Sequence, residues 1–331
     1  MQVLADTELK KLMNRRELVI DPFPEMEQLQ PASVDLRLGA VHRQLDRLGI
    51  VDLQAVEQDG EDSVLQEVNF DGELLLNPRD PVVQETFETV RIPRNHWGRV
   101  VQRSRYGRAL GSASNISFKG DPYQLLKHHE TPEHIRYAFN PFVRTRLRKR
   151  ERTCQLVVLD REGFLLTGEN AVKRGHLKSS HNTEVCGECG SILLHADEVY
   201  TPRWGVTFDP AAGINLADYE KVEERELPPR RVYLATTRER FQFSEKLAGH
   251  VERKPCPDVA HYTPFVSACF EAGFVDPGYE GPLTLHLYSE LFPIDTDVPV
   301  ATLTLYPVKG KVERPYGLFS LGSSHQDRFE Q

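Results

Sequence analysis

The chain has 331 residues, 39% of them hydrophobic and 27% charged, with a formal net charge of -8. That length exceeds one compact core and points to two domains. The acidic balance argues against a protein that coats nucleic acid, and no apolar run approaches the ~20 residues of a membrane span.

Residues 4–18 carry Leu9, Leu12, Met13 and Leu18 at near-helical spacing, with Asp6 or Thr7 as candidate caps, and predict an N-terminal helix. Pro22 and Pro24 end it. Beyond them the segments are short, β-branched or alternating. Val34–Leu38, Gly98–Gln102, Gln155–Leu159 and Leu283–Tyr288 read as strands, and 22 glycines and 22 prolines supply turns between them. Leu125–His134 reads as a short helical insertion. The expected class is mainly β with few helices.

An internal repeat is visible. Thr86-x-Glu88 precedes Gly98-x-Val100-x-Gln102-Arg103, and Thr237-x-Glu239 precedes Gly249-x-Val251-x-Arg253-Lys254 at the same spacing. This predicts a duplicated domain, with residues 1–162 as one copy and 231–331 as the other. The polar stretch 163–230 between them reads as insertion and linker. Within it Cys186-Gly187-Glu188-Cys189 has the shape of a metal knuckle, and with His181 and His195 it forms a candidate structural zinc set; plain reduced cysteines are the alternative. Five cysteines in so long a chain suggest no disulfide framework. The opening MQVLADTELKK has no apolar leader, so a cytoplasmic location is expected.

The stretch Leu18-Val19-Ile20-Asp21-Pro22-Phe23, followed by Gln30-Pro31-Ala32-Ser33-Val34-Asp35-Leu36-Arg37-Leu38-Gly39, resembles the opening of dCTP deaminases. Arg103-Ser104 stands where that family has an Arg-Ser-Ser phosphate motif. Arg152-Thr153-Cys154-Gln155-Leu156 is similar to the Arg-x-Ala-Gln-Leu motif of dUTPases. Ala272 to Gly281 resembles the sugar- and base-binding hairpin, and Arg314-Pro315-Tyr316-Gly317 through Ser324 resembles the Gly-rich C-terminal arm. The chain thus resembles the dCTP deaminase/dUTPase superfamily in its longer, bidomain form. The resemblance implies tandem dUTPase-like β-barrel (β-clip) domains, a deoxynucleoside triphosphate substrate (dCTP or dUTP) carried with Mg²⁺, and a homo-oligomer. Nucleic-acid and membrane partners are not expected.

The departures from the family pattern are specific. The family's catalytic glutamate position holds His286, and the corresponding stretch of the first copy is Tyr137-Ala138-Phe139. Lys254-Pro255-Cys256 replaces Arg-Ser-Ser in the second copy. Alternation puts Thr284, His286 and Tyr288 on one strand face, so His286 is either a base near neutral pH or a solvated strand residue. Glu271 and Asp276 are the nearby carboxylates. Arg103, Ser104, Arg152, Gln155, Lys254, Tyr279, Arg314 and Gly317 form the expected nucleotide-binding set. The reaction expected first is hydrolytic deamination of dCTP to dUTP and ammonia. A dUTPase-like pyrophosphatase and an inactive nucleotide-binding regulator are the rivals. The basic run Arg144–Arg152 reads as a solvated edge or a phosphate or subunit contact.

Overall fold

The computed structural model describes residues 1–45, 65–78, 82–103, 111–115, 125–180, 183–212, 215–252, 273–289, 291–314 and 316. The chain is built mainly of β-strands. The helix Asp6–Asn14 is shorter than predicted: Ala5 stands at its N-cap with no side-chain cap, and Asp6 lies inside its first turn. All four predicted strands fall inside observed ones, Val34–Leu45, His96–Gln102, Arg152–Asp160 and Glu280–Tyr288.

Two apolar cores lie side by side. One gathers Leu36, Leu38, Tyr137, Phe139 and Leu156, and the other Tyr233, Phe241, Leu285 and Leu303. Between them Val3, Val101, Leu159, Ala248 and Tyr306 form a third cluster. The short strand Gln2–Leu4 stitches the halves together, pairing antiparallel with Arg152–Asp160 and parallel with Ala301–Lys309. A large sheet therefore runs through both halves among the described residues.

The two copies of the sequence repeat adopt the same local structure. Thr86 Oγ1 donates to the Glu88 carbonyl at 2.7 Å and accepts from the Ile135 N–H at 2.9 Å. Thr237 Oγ1 donates to the Glu239 carbonyl at 2.7 Å and accepts from the Leu283 N–H at 2.9 Å. The repeated glycine has a packing cause. A Cβ on Gly98 would lie 2.8 Å from Ile92, and one on Gly249 would lie 2.8 Å from Leu303.

Two expectations are corrected. Leu125–His134 is not helical: Leu125–Leu126 pairs with the strand His96–Gln102, and Glu133–Pro141 is a strand in register with Val82–Arg91. Residue spacing there is too short to separate the two periods, and the strand partners are distant in sequence. The stretch 163–230 is not a linker apart from the second half. Ile192–Leu194 pairs with Ala301–Lys309, and both Leu177–Ser179 and Ala196–Pro202 pair with Val232–Phe243. Strands of three residues show no readable alternation, which hid them in a polar stretch.

The basic run is not an edge either. Its strand Arg144–Arg148 lies between Glu73–Leu76 and Thr207–Phe208. Arg148 grips Asp209 with both terminal nitrogens at 2.5 Å, a bidentate geometry that fixes direction as well as charge.

Candidate functional site

The strand Val34–Leu45 alternates as its sequence demands. Val34, Leu36 and Leu38 face the first core, which turns Ser33, Asp35 and Arg37 to the opposite side. That side is covered, and Asp35 is fully buried.

Four side chains converge on the Asp35 carboxylate. Gln155 Nε2 donates to Oδ1 at 3.2 Å and Gln30 Nε2 to Oδ2 at 3.3 Å. Arg103 Nη2 lies 3.3 Å and Arg152 Nη1 3.4 Å from Oδ2. Ser33 Oγ accepts from the same Gln155 amide at 3.3 Å. Strand pairing places these groups together: Gln155 is directly opposite Asp35 across one ladder and Val101 across the other, so the end of His96–Gln102 delivers Arg103.

A supporting layer lies behind. Glu88, fully buried, accepts from the Arg37 backbone N–H at 2.8 Å, from Arg37 Nε at 2.7 Å and from Gln28 Nε2 at 3.0 Å. Gln28 also donates to the Asp35 carbonyl at 2.8 Å. The segment from Glu25 to Arg37 is thereby fixed by charge-assisted hydrogen bonds.

The second half completes the cluster. Its hairpin turns through Gly278, whose φ of +85° suits glycine, and presents Asp276, 7% exposed. Burial raises the Asp276 carboxyl to about 7, and the nearby charge of Asp35 adds to the rise. Arg103 and the backbone N–H of Ala32 act in the opposite direction. One oxygen, Oδ1, is buried without a hydrogen-bond partner among the described residues. The C-terminal arm approaches the same segment, with Arg314 Nη1 donating to the Met26 carbonyl at 2.8 Å and the Tyr316 N–H to the Pro277 carbonyl at 3.2 Å. Next to Met26, the Glu27 carbonyl accepts from Arg152 Nη1 at 2.5 Å.

The expected residues fall into three groups. Arg103, Arg152, Gln155 and Asp276 are brought together, with Arg314 on the flank. Tyr279 is half-buried; its ring lies 5.3 Å from Tyr316 and 6.4 Å from Phe243, and its hydroxyl donates to the Pro282 carbonyl. Ser104, Lys254, Glu271, Gly317 and His181 lie outside the described residues.

His286 is buried, at 3% exposure, not solvated. It pairs directly with Leu234 in a different sheet from the one carrying Val275, the residue before Asp276. Paired residues share a face, and on that face Leu234 packs with Tyr288, Val232, Phe208 and Tyr219.

The zinc set is not assembled among the described residues. Cys186 is disulfide-bonded, Cys189 is a free exposed thiol, and His195 Nδ1 is 2.8 Å from Glu239 Oε1. No group of three His, Cys, Asp or Glu side chains among the described residues is placed to hold a metal. A disulfide sulfur is not the thiolate that zinc requires, so no step is assigned to zinc.

Sequence reasoning missed Asp35 as a site residue, along with Gln30 and Ser33, although the motif Gln30–Gly39 was in view. The available signal was an aspartate inside an alternating apolar strand, where an unpaired charge is costly.

A buried carboxylate pair, two guanidinium groups and an amide, drawn from two halves of a β-fold, converge in one cluster. Comparison with known proteins narrows the class. The family model described as dCTP deaminase-like matches residues 3–159 and 207–304. The dUMP-forming dCTP deaminase of Methanosphaera stadtmanae is 29% identical over 119 residues, which are 35% of this chain and 60% of that one. The dCTP deaminase of Natronomonas pharaonis is 34% identical over 109 residues, 32% of this chain and 56% of that one. The chain thus spans little more than half the length of these curated relatives. The crystal structure of 2′-deoxycytidine 5′-triphosphate deaminase from Agrobacterium tumefaciens superposes with a TM-score of 0.76 at 18% identity, covering 93% of this chain and 99% of that one, and establishes the common fold. The chain belongs to the dCTP deaminase-like family. No helix among the described residues is long and apolar enough to cross a membrane.

Proposed function

We propose that this chain hydrolytically deaminates dCTP, releasing ammonia and leaving dUTP, at the site shared by its two halves. The observation that carries this reading is Asp276: a buried carboxyl raised to about 7, beside the two arginines paired with Asp35. Deamination at C4 of cytosine needs a group that takes a proton from water and returns it. A carboxylate with a pKa near the working pH suits that exchange. In this reading water adds to C4 as its proton passes to Asp276. That proton goes on to the ring N3; the second proton, from the new C4 hydroxyl, passes by the same carboxylate to the amine, the C4–N bond breaks as ammonia leaves, and the carbonyl of uracil remains. Arg103, Arg152 and Arg314 supply cationic forks for the triphosphate, with Mg²⁺ as its companion ion. In the free protein Asp35 holds Arg103 and Arg152 in place.

A dUMP-forming reaction is the second reading. Two observations favour it: the Methanosphaera stadtmanae relative bears that description, and Gln155 and Arg152 stand at one site with a carboxylate able to orient water toward phosphorus. In that case pyrophosphate also leaves. Incubating purified protein with dCTP and Mg²⁺ while measuring ammonia and pyrophosphate separates the two. Ammonia alone supports the first reading, and both products in equal amount support the second. Nucleotide binding without either product would leave a regulator.

A further inference from the structure

The repeat would allow two such sites: the second-half hairpin against first-half strands, and the first-half hairpin against second-half strands. Strand register identifies the residues of the reciprocal combination. Leu156 is opposite Val34 and Val100, and Leu303 is opposite Ile192 and Val251. One residue along, Asp35 corresponds to Leu193 and Gln155 to Thr302. Gly98 is opposite Leu126, and Gly249 is opposite Val275. The next residue is Asp276 in the second half and Lys127 in the first.

All three polar determinants are therefore changed in the reciprocal combination. Leu193 is 5% exposed and has no charge with which to organise guanidinium groups. Thr302 is fully buried, and its hydroxyl is used on the Glu252 carbonyl at 3.1 Å. Lys127 is exposed, whereas Asp276 is buried against the other half.

We infer that each chain holds one deoxynucleoside triphosphate site, made from the second-half hairpin and the first-half strands. The reciprocal pocket has become structural, and the second half serves the first as donor of its hairpin and arm. This rests on the nucleotide reading proposed above.

The test is equilibrium dialysis of the full chain with radiolabelled α,β-imido-dCTP and Mg²⁺, in which the label counts bound nucleotide whichever base it carries. Saturation at one nucleotide per chain is expected. Arg103→Gln and, independently, Arg152→Gln should weaken that single site at least tenfold, with folding checked by thermal melting, while Lys127→Ala leaves number and affinity unchanged. Saturation at two per chain overturns the inference, as does a full-affinity site surviving in both arginine variants. If the wild-type chain binds no nucleotide at all, the functional reading itself fails, an outcome distinct from a count of two.

Discussion

Asp276 of the second half and Asp35 of the first are buried neighbours, and the charge on Asp35 adds to the burial that raises the Asp276 carboxyl to about 7. Like charges in a confined site cannot both ionise freely, so the pair couples the docking of the two halves to proton occupancy.

The stability consequence has a definite sign. Asp276 is raised from 3.8 to about 7 in the folded chain, so the folded state binds more protons than the unfolded state between those values. Stability therefore falls as pH rises through that window. Asp276→Asn removes the slope and is expected to be more stable than wild type at pH 8 by on the order of 2–4 kcal/mol. Denaturant unfolding of both proteins between pH 4 and pH 8 checks this; parallel curves would refute it.

Asp35 anchors Arg103 and Arg152. Removing one partner of a buried ion pair is costly because the other charge is stranded. Asp35→Ala is expected to destabilise the chain by roughly 2–4 kcal/mol. A double-mutant cycle with Arg103→Gln should give non-additive losses. Additive losses would mean the pair is not coupled.

A second link joins the halves away from the site. Glu252 accepts from Arg99 Nη1 at 2.8 Å and from the Thr304 hydroxyl at 2.9 Å, and His250 Nδ1 lies within 3.3 Å. Against the opposing effect of burial, His250 and Arg99 hold the Glu252 carboxyl well below the usual carboxylate range. Its contribution is present above the unfolded value of about 4.5 and is lost as pH falls below it. Glu252→Gln should cost roughly 2–4 kcal/mol at neutral pH and flatten the acid limb of the stability profile. Urea unfolding at pH 3 and at pH 7 measures both effects, and an equal cost at the two pH values would contradict the assignment.

Several members of the candidate cluster are legible in the sequence, and its central carboxylate is not. Arg103, Arg152, Gln155 and Asp276 were visible because each sits in a short motif. Asp35 was passed over because the polar face of an alternating strand ordinarily meets water. The hairpin of the second half, some 240 residues away, meets it there beside Arg103, Arg152 and Gln155, and no local pattern records those contacts. The same limit applies to Ile192–Leu194, whose partner Ala301–Lys309 is over 100 residues distant. His286 was legible as the residue at the family's glutamate position, but its burial opposite Leu234 comes from sheet pairing.

In the proposed reaction proton transfer falls to Asp276, carried on the hairpin, and not to His286. The most direct test is the rate of ammonia release from dCTP between pH 5.5 and 8.5 for wild type, Asp276→Asn and His286→Gln, with nucleotide affinity measured alongside. The wild-type rate should rise with pH through about 7, as the carboxyl becomes free to accept a proton from water. Asp276→Asn should lose at least ~10²-fold in turnover while its affinity changes by less than about fivefold, well short of the ~1.4 kcal/mol that a tenfold change represents. His286→Gln should keep most of its turnover. No ammonia from the wild-type protein, or a His286→Gln variant that loses turnover while Asp276→Asn keeps it, would contradict the account.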